Sequence, residues 1–184
     1  MLSIREVPLS PETLQVLEDL VHASPEHASG LWQRLKSAFE GKYLSERAAE
    51  ARAALARGTC EEVEVRHETP PVVAEHEHGV CLFVAAGPKQ TLLLDVSSVA
   101  DDARWNMYKS GTLMRECWHW TRFTNLEGAW AFAAHGAPVQ PRNLGELHGT
   151  ALERRLTEEM DWPGDDAVIP LSLAEIERLA HQRG

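Results

Sequence analysis

The hydrophobic pattern of the chain changes near Gly58, and this change constrains the fold more than any other feature of the sequence. Before Gly58, apolar residues such as Leu31, Leu35 and Phe39 recur every three to four positions, which is typical of helices. After Gly58, short apolar or alternating runs are separated by turns rich in Gly and Pro, which is typical of strands. The sequence therefore predicts a mixed α+β fold.

The N-terminal part, residues 1–58, is predicted to form a helical hairpin or a three-helix segment. Ser10-Pro11 and Ser24-Pro25 each place a capping residue before a proline, a pattern that opens helices. Gly58 follows the last helical stripe and is a natural position for a helix to end.

Residues 59–184 are predicted to contain the sheet. The alternating and apolar runs indicate strands at 61–67, 79–85, 90–96, 113–124, 129–134 and 168–171. Strands joined by tight turns form antiparallel sheets, so we expect a mainly antiparallel sheet of five to six strands with the N-terminal helices packed on it. A helix over 144–160, a short strand and a helix opened by the Ser172/Glu175 capping box form a C-terminal helix-strand-helix. The whole chain, 1–184, is expected to be a single domain.

The charge of the chain limits the partners that it can bind. The net charge is −10, and residues 61–103 contribute most of it, with two basic and nine acidic side chains for a net of −7. Phosphate backbones and anionic membranes bind clustered Lys and Arg, so neither nucleic acid nor a membrane surface is expected as a partner. This charge is compatible with a basic protein partner, with a metal ion, or with a solvated surface that binds neither. For a protein partner, the alternating strand segment carrying Glu61, Glu62 and Glu64 is the expected contact surface.

The cysteines and the apolar runs indicate a cytoplasmic protein. The three cysteines, Cys60, Cys81 and Cys117, are widely spaced, which is not the pattern of a disulfide scaffold. The longest apolar run, 79–87, is shorter than the roughly 20 residues that cross a bilayer. The N-terminus lacks the charged and apolar regions of a signal peptide. The Ala, Arg and Leu content of the helices is typical of bacterial proteins, and a homo-oligomer is compatible with the sequence.

The stretch Glu75-His76-Glu77-His78-Gly79 is the strongest candidate for a metal site. On a strand, His76 and His78 would share one face, and neutral imidazoles bind divalent transition metals. His67 would be the third ligand, with His148 as the alternative, and Glu77 or Asp95 would lie nearby. The competing interpretation is a solvated turn or strand edge, because charged residues at an edge block unwanted strand pairing.

The opening of this stretch, His76-Glu77-His78, resembles the first metal-binding motif of the cupin barrels. In cupins a ligating Glu follows a few residues later, but this chain has Leu82 and Phe83 there. The chain also begins with a long helical part that cupins lack, so it is not assigned to that family.

The tryptophans suggest a second kind of site. Trp118, Trp120 and Arg122 alternate along one predicted strand and would share a face. Aromatic rings beside an Arg can stack on a small molecule, but large aromatic side chains also dominate protein cores.

Three functions therefore remain open on sequence grounds. The phosphate-binding, nucleophile-elbow and zinc-protease motifs are absent, which favours a non-enzymatic binding or regulatory domain that contacts another protein. A metal-dependent enzyme at His76 and His78 is the first alternative. A small-molecule binder at Trp118 and Trp120 is the second.

Overall fold

A computed structural model describes residues 1–22, 47–98, 103–123 and 126–183, with only the backbone over 126–130. The predicted start at Ser24-Pro25 and the helical stripe around Leu31–Phe39 lie outside these residues. Two compact units are present. The first comprises Met1–Ile4, Val63–Trp120 and Gly128–Gly184, and the second comprises Arg5–Glu62 and Thr121–Glu127.

The helices and strands of the described residues follow one another in a mixed order, with two runs of consecutive strands. Strand β1 is Leu2–Pro8, helix α1 is Pro11–His22, a helix that we label α2 covers 47–57, and β2 is Thr59–Arg66. Strands β3 (Val72–His76), β4 (Gly79–Gly87) and β5 (Gln90–Ser97) precede helix α3 (Ala103–Lys109). Strands β6 (Arg115–Phe123), β7 (Leu126–Pro138) and β8 (Arg142–Glu146) follow. Helix α4 (Ala151–Arg154) continues as a π-helical turn, Arg155–Glu159, before β9 (Ala167–Ile169) and helix α5 (Leu173–Ala180).

The strands form two sheets rather than the single sheet predicted. One has four strands in the order β1-β2-β6-β7, and the other has five in the order β8-β3-β4-β5-β9. In the five-stranded sheet, β3, β4, β5 and β9 pair antiparallel and β8 joins β3 in parallel. The mainly antiparallel α+β class is confirmed, whereas the expected strand count is wrong.

The local signals at helix ends are confirmed. The Thr13 amide donates to the Ser10 hydroxyl at 3.1 Å, and α1 begins at Pro11. Gly58 has a φ of +71° and follows α2. Ser172 forms the predicted capping box at the start of α5.

Two segments depart from the prediction. Residues 2–8 form a strand, which the prediction of a helical N-terminal part over residues 1–58 did not include. The helix expected from residue 144 begins at Ala151 instead, because Gly145 and Gly149 take φ values of +76° and +72° that a helix does not allow. The C-terminal helix-strand-helix is otherwise confirmed by α4, β9 and α5.

The five-stranded sheet is buried on both faces within the first unit. One face, including Val80, Leu82 and Leu94, packs with Trp118 and Trp120. The other face packs against the C-terminal helices through a second apolar cluster, which includes Cys81, Phe83, Leu93, Leu152 and Ile176. Burial on both faces explains why β4 is apolar throughout rather than alternating.

Candidate functional site

The Glu-His-Glu-His-Gly stretch forms the end of the β3–β4 hairpin. β3 ends at His76, Glu77 and His78 form the turn, and β4 begins at Gly79, which is the register partner of His76. Gly79 is required there, because a Cβ would lie 2.0 Å from the Val96 carbonyl oxygen. Because His78 lies in this turn and not on the strand, His76 and His78 do not share a strand face as the sequence predicted.

His76 points to the face of the sheet that the C-terminal helices cover. It follows Ala74 by two residues, and Ala74 is the register partner of Cys81. Cys81 is in turn the register partner of Asp95 on β5. Three adjacent strands therefore bring His76, Cys81 and Asp95 together, with one ligand atom of each within 4.8 Å of the others.

His76 and Asp95 form a hydrogen-bonded pair. The Nε2 atom of His76 lies 3.1 Å from Oδ1 of Asp95, and the side chains are 17% and 21% exposed. The other ring nitrogen, Nδ1, accepts the backbone amide of His78 at 3.3 Å. Since Nδ1 accepts, the two contacts assign the ring proton to Nε2, which donates to Asp95.

Asp95 also forms hydrogen bonds with Trp162, Asp165 and Arg104. The Trp162 indole donates to its Oδ2 at 3.1 Å, and its backbone amide donates to Asp165 at 3.1 Å. Arg104 donates to the backbone carbonyl of Asp95 at 3.3 Å and forms an ion pair with Asp165 at 2.8 Å. Burial alone would raise the pKa of Asp95, but hydrogen bonds from His76 and Trp162 and nearby positive charge hold it below its usual value.

The segment 161–166, which supplies Trp162 and Asp165, has a strained backbone. Asp161, Trp162 and Asp166 have φ values of +52°, +40° and +61°, a region that residues other than glycine rarely adopt. Such conformations cost on the order of 1–3 kcal/mol each and persist only where surrounding contacts enforce them. One such contact is the hydrogen bond from the Trp120 indole to Asp166 at 3.0 Å.

Cys81 is fully buried in this cluster. Burial, followed by the negative charges of Asp95 and Asp165, raises the pKa of the Cys81 thiol well above its usual value. The thiol is therefore protonated at neutral pH in the absence of a bound cation, and it is not an activated nucleophile.

The outer side of the same hairpin is acidic. Glu75 on β3 is the register partner of Glu146 on the edge strand β8, and both are exposed. Glu77 in the turn is 88% exposed. Among the described residues, neither Glu75 nor Glu146 forms an ion pair. We call these three residues the acidic end.

The other predicted metal ligands lie apart from the His76 cluster. Over the part of the chain that the structure describes, His76, Cys81 and Asp95 are the only group of three or more candidate ligands. The imidazole of His67 instead packs edge-on against Trp118, with ring centroids 4.3 Å apart. His78 is 63% exposed in the turn, and His148 is 90% exposed beside Glu153.

The predicted ligand surface of Trp118 and Trp120 lies in the core. Both rings are fully buried, and the Trp118 indole donates to the Leu113 carbonyl at 2.7 Å. The Trp120 ring stacks on Phe132 with centroids 5.7 Å apart. These contacts are those expected of core packing, the competing interpretation of the aromatic pattern.

The predicted partner surface on β2 carries charges that are already compensated within the chain. Each of its three glutamates forms an ion pair with an arginine: Glu61 with Arg122 at 2.7 Å, Glu62 with Arg5 at 2.6 Å, and Glu64 with Arg66 at 2.9 Å. Arg122, expected beside the tryptophan face, therefore serves as the partner of Glu61.

In the sequence, Cys81 stood out only as one of three widely spaced cysteines, and Asp95 only as a neighbour of the histidines. One signal was present, since Asp95 interrupts the otherwise apolar run Leu92–Val96 and an isolated acid in a buried strand needs a partner. The register between β4 and β5 places Cys81 opposite Asp95, and no short stretch of the sequence indicates that register.

The comparisons with known proteins bring no further information to this site, since no protein-family model, curated protein or solved structure matches the chain.

Proposed function

We propose that the protein is a non-enzymatic binding protein that contacts a basic protein partner through the acidic end, Glu75, Glu77 and Glu146. The observation that carries the proposal is the register pairing of Glu75 with Glu146. Like charges on paired positions of neighbouring strands repel each other and destabilise a sheet. A cationic side chain from a partner would relieve that repulsion. Binding of a basic partner would therefore also stabilise the sheet at this position.

The overall charge supports the same partner class. At a net charge of −10, the protein attracts basic surfaces over a distance comparable with the Debye length, roughly 8–10 Å at physiological salt. The glutamates of β2 contribute less to this attraction, because each is paired with an arginine. The acidic end therefore replaces the β2 surface as the proposed contact.

The state of the buried cluster favours binding over nucleophilic catalysis. Both ring nitrogens of His76 take part in hydrogen bonds, and the Cys81 thiol is buried and protonated. A general base needs a ring nitrogen that faces the proton to be removed. We include a cytoplasmic setting in the proposal, supported by three cysteines that are all free and buried.

The test uses two variants with the same change in net charge. The first replaces the acidic end with glutamine at all three positions. The second replaces three other exposed glutamates, Glu18, Glu68 and Glu158, in the same way. Each protein is immobilised, and basic proteins captured from a lysate of the source cells are quantified by mass spectrometry.

We expect wild type and the second variant to capture the same basic protein, and the acidic-end variant to lose it by at least about tenfold, equivalent to about 1.4 kcal/mol. The interaction should weaken as salt rises, because exposed charges are screened. Equal loss in both variants would show that bulk charge alone is responsible, and unchanged capture by the acidic-end variant would contradict the proposed surface.

A further inference from the structure

The cluster of His76, Cys81 and Asp95 offers one nitrogen, one sulfur and one oxygen donor from three adjacent strands. The three ligand atoms lie within 4.8 Å of one another. By plane geometry, some point then lies within about 2.8 Å of all three, against metal–ligand bonds of roughly 2.0–2.3 Å for zinc. Inward shifts of about half an ångström per side chain would therefore complete three bonds to one ion.

We propose that His76, Cys81 and Asp95 bind a divalent transition-metal ion of the zinc and cobalt type. The donor set selects this class, because thiolate and imidazole favour zinc-like ions whereas magnesium and calcium favour oxygen ligands. Three protein ligands leave a fourth tetrahedral position for water or for a group of a partner. This proposal is independent of the acidic end, which lies on the outer side of the hairpin.

The surroundings of Asp95 resemble the support that metal ligands require. Its second carboxylate oxygen accepts the Trp162 indole at 3.1 Å, and its backbone is held by Asp165 and Arg104. Hydrogen bonds of this kind fix the orientation of a ligating carboxylate. The strained segment 161–166 brings Trp162 and Asp165 to this position.

Binding requires a defined rearrangement of protons. The Cys81 thiol loses its proton to solvent and binds as the thiolate. His76 stays neutral, but its proton moves from Nε2 to Nδ1, so that Nε2 can bind the ion. The 3.3 Å contact between Nδ1 and the His78 amide is then given up, because both atoms would carry hydrogen.

The test titrates reduced, tag-free protein with Co²⁺ and records its absorption spectrum. A tetrahedral cobalt site with one thiolate ligand gives intense visible bands and a sulfur-to-cobalt band in the near ultraviolet. We expect both to saturate at one equivalent and to disappear when Zn²⁺ is added, whereas Mg²⁺ should leave them unchanged.

Matched variants assign the ligands. His76→Gln keeps an N–H donor for Asp95 and should weaken Co²⁺ binding at least tenfold, whereas His78→Gln, two residues away in the exposed turn, should not. Cys81→Ser should abolish the sulfur-to-cobalt band, and Cys117→Ser, the control for another buried thiol, should retain it.

Circular dichroism of the metal-free variants checks their folding. If Cys81→Ser does not fold, the Co²⁺ affinity of His76→Gln, compared with that of His78→Gln, tests the proposed site. Three results would overturn the proposal: wild type without these bands, a sulfur band that survives in folded Cys81→Ser, or equal weakening by His76→Gln and His78→Gln.

Discussion

His67 makes the stability of the protein sensitive to acid. Both ring nitrogens are buried without a hydrogen-bond partner, and the ring packs against Trp118. Burial, with a smaller contribution from the N-terminal charge, lowers the pKa of His67 from 6.5 to about 4. The unfolded chain therefore binds this proton more readily than the folded protein between these two pH values. As pH falls through this window stability is lost, and above pH 6.5 the penalty is absent.

The size of this penalty follows from the shift of the pKa. A pKa lowered from 6.5 to about 4 corresponds to about 3.4 kcal/mol at pH below 4, at about 1.4 kcal/mol for each tenfold change in proton affinity. Because the residue as a whole is only partly buried, solvent screening reduces this to roughly 1.5–2 kcal/mol. His67→Phe removes the titrating group and keeps an aromatic ring against Trp118. Relative to wild type, the variant should therefore gain roughly 1.5–2 kcal/mol between pH 7 and pH 4.

Urea unfolding at pH 7, 5.5 and 4 measures this gain directly. His148→Phe is the matched control, because that side chain is 90% exposed rather than packed against a tryptophan. A difference between His67→Phe and wild type that stays constant with pH would refute the buried, unprotonated state of His67. A difference that grows toward high pH would contradict the sign of the linkage.

Two further substitutions test the cluster and its hairpin. Gly79→Ala should destabilise the protein by more than about 2 kcal/mol in urea unfolding, because its Cβ would meet the Val96 carbonyl. Gly111→Ala, with open space around it but a φ of +72°, should cost only about 1 kcal/mol, so equal losses would argue against the clash. Asp165→Asn should cost about 1–3 kcal/mol, because it removes the charge that pairs with Arg104 while the contact of Arg104 with the Asp95 carbonyl remains. A loss below about 1 kcal/mol by differential calorimetry would show that this pair does not hold the segment in place.

The parts of the fold that were predicted correctly depend on local signals. Ser10-Pro11, Gly58 and Ser172 act on backbone groups a few residues away, so their roles can be read from short stretches. Strand β8 has no such signal. It pairs in parallel with β3, about 70 residues earlier, and its register is set by contacts that the local pattern does not contain.

The candidate site was predicted only in part for the same reason. His76 was identified from its residue type, but its partners come from β4 and β5 through strand register. The turn at Glu77-His78 lacks the Asn-Gly type of signal that marks tight hairpins, so the sequence supported a turn there only as one of two interpretations. The burial of Trp118 and Trp120 depends on which face of their sheet is covered, and alternation alone does not identify that face.

The proposed partner site rests on the pairing of Glu75 with Glu146, and a double-mutant cycle measures directly whether the two carboxylates repel each other. Glu75→Gln and Glu146→Gln are each compared with wild type and with the double variant by urea unfolding at low and high salt. We predict that each single substitution stabilises the protein by about 0.2–1 kcal/mol. The double variant should gain less than the sum of the two, and the coupling should shrink at 1 M salt. Destabilisation by either substitution, or strict additivity at low salt, would show that no repulsion exists at this edge for a basic partner to relieve.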